Sequence, residues 1–438
     1  STLFPYTTLF RSGIGQVNIL KKIQGRGYRA IAVTTPGDYP CIELADEVIY
    51  MDIFQRKEIV EAVRDKNIVA VLSDQNDLMN PTVAYISEAL HLPGNKFETV
   101  MMYCDKNAYR NNCDKIGIPV PKHKAVHATD GLQFNCEFPW IVKPADSQSS
   151  IGVKKVYNQT EAKHAVECAL EKSPTRSAIV EEFFVGKEVV CEGFIKNGHF
   201  YLLGFADRVY FDLESLFIPC QTIFPSIIPE KYLKQILEYE ERLAEYTQPS
   251  FAIVHSEYLV NDTTGEIRAV ESALRGGGVY ISSDLIPLAT GIDINDVLID
   301  EALGINEINI DFFNNKENNA AAYICFYLPE GEIVEINGLK ELEKLEFVTK
   351  VFLDDIYIGN QTKKMTYKGA RKGPILVKGK NRADIDNKIE IIKKVFDIEI
   401  KNEQGCIGKA WNGIKNLFKN KYSSSNIEKA INNLNSNS

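Results

Sequence analysis

The chain has 438 residues, 45% hydrophobic and 25% charged, an ordinary globular profile long enough for about three domains. Its net charge of −9 leaves no basic surface of the kind that non-specific nucleic-acid binding needs. No apolar run approaches the ~20 residues that span a bilayer, and nine cysteines without a CxxC pair read as buried, reduced thiols of a cytoplasmic protein, not a disulfide or zinc framework.

The first twelve residues, STLFPYTTLFRS, resemble a translated sequencing adapter and are set apart from the functional reading. From Gly13 the chain looks like a βαβ unit without its first strand, and residues 7–10 are β-prone enough to occupy the vacant edge. Residues 13–104 alternate helix and strand: helix over 17–24, strand over 30–34, helix over 58–65, strand over 69–72 and helix over 80–89. Such alternation predicts a parallel sheet covered on both faces. Gly13-Ile14-Gly15 opens the first helix, but GxG alone is a weak nucleotide signal. Asp74 comes just after a strand, where open α/β sheets bind ligands, and is a candidate substrate contact.

Residues 105–117 read as a helix with Lys106 in its first turn, and residues 140–142 as a buried strand ending in Lys143. A small-residue loop comes next, with Ser147, Ser149, Ser150 and Gly152, whose backbone N–H groups can lie along phosphate oxygens. It is not a Walker loop, which needs Gly-Lys-Ser/Thr. Residues 161–171 form an amphipathic helix. Residues 179–194 read as a strand, a turn at Gly186 and a second strand, with Glu181, Glu182 and Glu188 among apolar neighbours. After a helix over 231–244 comes a hairpin, with strands over 251–260 and 266–273 joined by a turn at 261–265. Glu257 and Glu271 fall within a few residues of register, and two carboxylates meeting on a sheet face repel unless a cation joins them. His255 alternates to the Glu257 face. Arg275 and three glycines complete the stretch, the glycines letting backbone approach a ligand closely.

Residues 316–401 alternate strands with short helices and read as a small α+β domain. From 402 the chain turns polar, with a disordered end expected. Trp411, Ile414, Leu417 and Phe418 fall at helical spacing beside lysines, a pattern suited to docking on the protein itself or to a membrane surface.

The ordered series Lys106, Lys143, small-residue loop, Glu181-Glu182-Phe183-Phe184, Glu188, Glu257, Glu271 and Arg275 resembles the ATP-grasp superfamily of carboxylate–amine ligases. The resemblance runs over about 13–315. It extends more weakly through 323–401 to the small closing domain of the L-amino-acid-ligase-like branch. It implies an α/β and α+β fold: a pre-ATP-grasp parallel-sheet domain over 13–104, a two-lobed ATP-grasp domain over 105–315 (lobes about 105–178 and 179–315), a closing domain over 316–401 and a tail over 402–438.

It also implies ATP and Mg2+ as cofactors, with Mn2+ as a substitute, and small carboxylate and amine substrates. A homodimer is one arrangement of relatives. In this likeness Lys106 and Lys143 neutralise phosphates, and the Ser147 to Gly152 backbone, with Ser149 and Ser150, closes over the γ-phosphate. Backbone around Glu181, Glu182, Phe183 and Phe184 reads adenine, and Glu188 accepts from ribose. Glu257 and Glu271 hold the metal, and Arg275 steadies the transferred phosphoryl. Arg208 is a lesser candidate for the substrate carboxylate. One departure stands out: the family pattern Glu-x-Asn is here Glu271-Ser272-Ala273, which puts a second metal in doubt. That keeps open a nucleotide-binding pseudoenzyme, beside a carbamoyl-phosphate-synthase-like phosphorylation of a small acid.

Overall fold

The computed structural model describes residues 6–10, 13–147, 150–213, 217–278, 280–305, 311–366 and 368–411. The alternating N-terminal segment is a parallel sheet of β1 (Tyr6–Phe10), β2 (Arg29–Thr34), β3 (Glu47–Tyr50) and β4 (Ile68–Leu72), in the order β3-β2-β1-β4. Residues 7–10 therefore do not fill an edge. β1 pairs on both sides, and Thr7 and Thr8 are fully buried. Threonine's β-branched stem suits a buried pleat, and strand order in a parallel sheet is set by crossovers that local sequence does not display.

The second sheet is built from β5 (His123–Val126), β6 (Trp140–Pro144), β7 (Lys154–Val156) and β8 (Ala178–Glu182), in the order β5-β8-β6-β7. The helix Gln159–Lys172 lays Ala162, Ala165, Val166 and Ala169 against Trp140, Val142 and Val180. Asn158 caps it by accepting from the Glu161 N–H.

Three further strands, β9 (Lys187–Lys196), β10 (His199–Tyr210) and β11 (Pro219–Phe224), precede the hairpin of β12 (Phe251–Asn261) and β13 (Glu266–Ala273). Neighbours in this sheet run β13-β12-β9-β10. The expected turn at Gly186 is corrected: β8 and β9 belong to different sheets, and residues 183–186 cross between them. Glycine is needed there for approach, since a Cβ on Gly186 would lie 3.0 Å from the Val260 backbone.

The helix Glu230–Thr247 covers one face of the β12 sheet, packing Tyr232, Ile236, Tyr239 and Leu243 with Tyr258 and Val260. Glu240 is buried with them and accepts from the Tyr258 hydroxyl at 2.6 Å. Burial raises its pKa to about 7 from an ordinary 4.5, against the opposing hydrogen bonds from Ser256 and Tyr258. A carboxyl whose folded pKa is raised stabilises the fold fully below its unfolded value and loses that contribution as pH rises through the folded one. Stability should thus decline between pH 4.5 and about 7 by an amount on the order of 3 kcal/mol. Urea midpoints across that range would show the slope flatten in Glu240→Gln, and an unchanged slope would exclude Glu240 as its source.

Contacts divide the chain into two compact units. Among the described residues, the first holds those up to 207 and those within 223–322 and 378–385; the second holds those within 208–222, 323–377 and 386–411. In the second lie β14 (Ala320–Phe326), which starts just before it, β15 (Gly331–Asn337), β16 (Val348–Val351), β17 (Gln361–Thr362), β18 (Lys372–Gly379), whose last two residues fall in the first, β19 (Asp397–Lys401) and β20 (Ile407–Lys409). The last of these lies past 402, within the segment whose end is expected to be disordered; that end falls outside the described residues. β20 pairs with β19, and Trp411 donates to the Phe396 carbonyl and meets Phe326 edge-on. Trp411 thus docks on its own protein, while Ile414, Leu417 and Phe418 lie outside the described residues. All nine cysteines are free, but only Cys41, Cys113, Cys191, Cys220 and Cys325 are buried; Cys104, Cys136 and Cys168 are half-buried and Cys406 is exposed. No described helix is long and apolar enough to cross a membrane.

Candidate active site

Within the first unit, one helix brings charge to two sheets. The helix Lys106–Lys115 starts at Asp105, whose side chain caps the Ala108 N–H, and Lys106 N–H is pinned to the Ala145 carbonyl just past β6. Lys106 Nζ donates to the Ser147 carbonyl at 2.7 Å and lies 3.4 Å from Glu271 Oε1. One turn later on the same helix face, Arg110 is fully buried, with Nε 2.7 Å from Glu181 Oε1. Lys143, at the end of β6, lies 2.6 Å from Glu181 Oε2. Glu181 is therefore shared by two cations. Arg110 is missed by sequence reading, although its i+4 spacing from Lys106 was the available signal.

Burial sets the direction of these groups' titration first, and partners then decide. Desolvation would raise the Glu181 pKa, yet Arg110 and Lys143 bring it down to about 2. Burial, with Arg110 and Lys106 nearby, pushes Lys143 below its ordinary value despite Glu181. Burial would do the same to Lys106, but Glu271 and Asp77 raise it.

The glutamates of the hairpin are in direct register. Glu257 faces Glu271 across β12 and β13, and the next row on that face pairs His255 with Ala273. On the other side of β12, His255 faces Glu192 and Glu257 faces Val190 of β9. Among the described residues no group of three or more His, Cys, Asp or Glu side chains is placed to hold a metal ion by itself.

Arg275 forks onto Asp77, with Nε to Oδ1 and Nη2 to Oδ2 both at 2.9 Å. Burial would raise the Asp77 pKa and lower that of Arg275, and the pairing overrides both: Asp77 is held below and Arg275 above its ordinary value. Asp74 accepts from the N–H groups of Gln75 and Gly276, from Ser282 Oγ and from Asn295 Nδ2, all at 2.7–2.9 Å. Its carboxylate thus anchors the glycine loop after β13 within the protein. A Cβ on Gly276 would come 2.7 Å from Asp74 Oδ1 and collide with Ser282. Gly276→Ala should cost about 1–3 kcal/mol in urea unfolding; a loss under about 0.5 kcal/mol would mean that the loop yields freely.

The Ser147 hydroxyl donates to the Lys172 carbonyl at the end of the helix Gln159–Lys172, so its carbonyl, not its hydroxyl, meets Lys106. Ser149 lies outside the described residues. Ser150 and Gly152 have φ of 57° and 74°, and a Cβ on Gly152 would sit 2.9 Å from Pro144. Glu181 lies between His123 of β5 and Ile141 of β6, with its carboxylate committed to Lys143 and Arg110. Glu182 exchanges backbone and side-chain bonds with Lys122, and Phe183 N–H donates to the Pro139 carbonyl. Lys155 Nζ stands 3.5 Å from the Phe183 ring centre and the Arg268 guanidinium 4.8 Å from that of Phe184. Glu188, half-buried on β9, faces Leu259. Arg208 is buried in the second unit.

Comparison with known proteins bears on the family and the fold. Residues 136–283 match the model of the ATP-grasp domain. The chain is 22% identical over 298 residues to the carbamoyl phosphate synthase large chain, C-terminal section, of Methanopyrus kandleri, covering 62% of this chain and 52% of that protein. It spans about half or less of the length of the curated relatives it matches. The L-amino acid ligase of Bacillus licheniformis superposes with a TM-score of 0.76 at 18% identity, over 92% of this chain and 100% of that one. Phosphoribosylglycinamide synthetase of Anaerococcus prevotii gives 0.70 at 21%, over 91% and 100%. With the mixed α/β architecture and the family match in agreement, residues 136–283 belong to an ATP-grasp domain.

Proposed function

We propose that the chain is an ATP-dependent, ADP-forming ligase that activates a carboxylate as an acyl phosphate and joins it to an amine, making an amide or peptide bond. The observation that carries this reading is the direct opposition of Glu257 and Glu271, with Lys106 reaching Glu271 from the helix beside Lys143. A carboxylate is a poor electrophile, and attack of its oxygen on the γ-phosphorus, with ADP departing, supplies a good leaving group. The amine nitrogen then attacks the acyl carbon and phosphate leaves. Both steps need control of charge on phosphoryl oxygens more than covalent help.

Lys106 and Lys143 hold the phosphates in this reading. The backbone from Ser147 to Gly152 closes over the terminal one, and Phe183 and Phe184 flank the base beside Glu181 and Glu182. Glu188 takes the ribose. Arg275, oriented by Asp77, faces the transferred group. Glu257 and Glu271 fit a hard divalent cation, which takes oxygen ligands and is often held by one or two carboxylates plus phosphate oxygens and water. When bound, Mg2+ neutralises phosphoryl charge.

Ala273, where an oxygen donor is expected, favours a binding-only reading as the second choice. The two separate by phosphate release from Mg-ATP against a pool of L-amino acids and small carboxylic acids. A ligase releases phosphate with one acid and needs the metal, and Glu271→Gln lowers that rate by roughly 10–100-fold. ATP binding with silence across the pool supports the binding-only reading, and turnover that survives Glu271→Gln overturns the metal assignment.

A further inference from the structure

The row of side chains beside the two glutamates also holds a nitrogen donor. His255 lies two residues before Glu257 on β12, hence on the same sheet face, and stands between Ala273 on β13 and Glu192 on β9. Ala273 offers no ligand atom; the neighbouring imidazole does. His255 Nδ1 is hydrogen-bonded to Glu192 Oε1. A carboxylate has only lone pairs to offer, so the proton between them sits on Nδ1. That bond fixes the ring and turns Nε2 toward Glu257, whose Oε1 is 3.4 Å away.

Two atoms at neighbouring positions around a small divalent cation lie about 3 Å apart, given bonds near 2.1 Å. Imidazole and carboxylate are thus spaced much as a ligand pair would be. Glu192 is fully buried, and its Oε2 has no hydrogen-bond partner among the described residues. The glycine loop closes over the pair: a Cβ on Gly277 would come 2.7 Å from Glu192 Oε1 and 2.9 Å from His255 Nδ1. A buried carboxylate that orients an imidazole from behind is the usual support of a metal-binding histidine.

We propose that His255, through Nε2, is a ligand of the divalent cation that accompanies the nucleotide, beside Glu257 and with Glu192 as the positioning residue behind it. The proposal rests on the nucleotide-dependent ligase reading. It gives the site a nitrogen where the family pattern has an amide at position 273, and nitrogen ligands favour Mn2+ over Mg2+ more than an all-oxygen set does.

The test uses the full chain with Mn2+ and ATP, and reads pulsed electron paramagnetic resonance, not activity. Protein labelled with 15N only in histidine should show a 15N coupling to the Mn2+, and His255→Gln should remove it. Mn2+ affinity should fall by roughly 10–100-fold in His255→Gln and in Glu192→Gln. Bound Mn2+ without histidine coupling overturns the proposal and leaves the ligase reading standing. A coupling that persists in His255→Gln also overturns it, since another histidine would then be the ligand. Failure of the wild type to bind Mn2+ with ATP overturns the nucleotide reading itself. The labelled wild type decides the presence of a histidine ligand even where a variant folds poorly.

Discussion

Lys143→Ala should lower nucleotide-dependent phosphate release by about 10²–10³-fold, the usual cost of one preorganised contact to a developing charge. The residue is suited to that role because its position is fixed twice. It ends a buried strand, and its ammonium is held 2.6 Å from Glu181, which also holds Arg110. Burial and two neighbouring cations push its pKa down, so an added phosphate oxygen meets a cation that gains from further negative charge. The measurement is the single-turnover rate at saturating ATP, with ATP affinity determined separately. A rate within a factor of about ten of the wild type would make Lys143 a strut for Glu181 and no more.

Glu181→Ala should be the most damaging single change to the fold, costing about 3–5 kcal/mol in urea unfolding, because it leaves buried cations without their counter-charge. Arg110 has Nη1 and Nη2 buried with no hydrogen-bond partner among the described residues, so its attachment depends on Nε and Glu181. The pH dependence has a definite sign. The Glu181 pKa is lowered from 4.5 to about 2, so its contribution is present above 4.5 and is lost as pH falls toward 2. Glu181→Gln should remove that acid-side slope. Persistence of the slope would assign acid lability to other carboxylates, Asp77 first among them.

Candidate residues at strand ends and loops were legible in the sequence by position: Lys143 after an apolar run, the hairpin glutamates, and Arg275 before three glycines. The register of Glu257 on Glu271 is closer than the spacing alone could specify, since the bulge after Glu257 is invisible in the residue pattern. Missing were the partners. Asp77 is nearly two hundred positions from Arg275, and Arg110 is seventy-one from Glu181, separations that no local pattern bridges. The central place of β1 and the sheet-to-sheet crossing at 183–186 were lost for the same reason: which strands become neighbours is decided by the packed chain.

One turn of helix has a consequence for what this chain can tolerate. Lys106 serves the hairpin through Glu271, and Arg110 serves the other sheet through Glu181. Each added residue rotates everything beyond it by about 100°. An insertion between 106 and 110 would therefore swing Arg110 away from Glu181 unless Lys106 surrendered Glu271, whereas the same insertion in the loop between β5 and β6 would leave both pairs intact. The four-position spacing of Lys106 and Arg110, more than the identity of the three residues between, is what ties the two sheets' charges together.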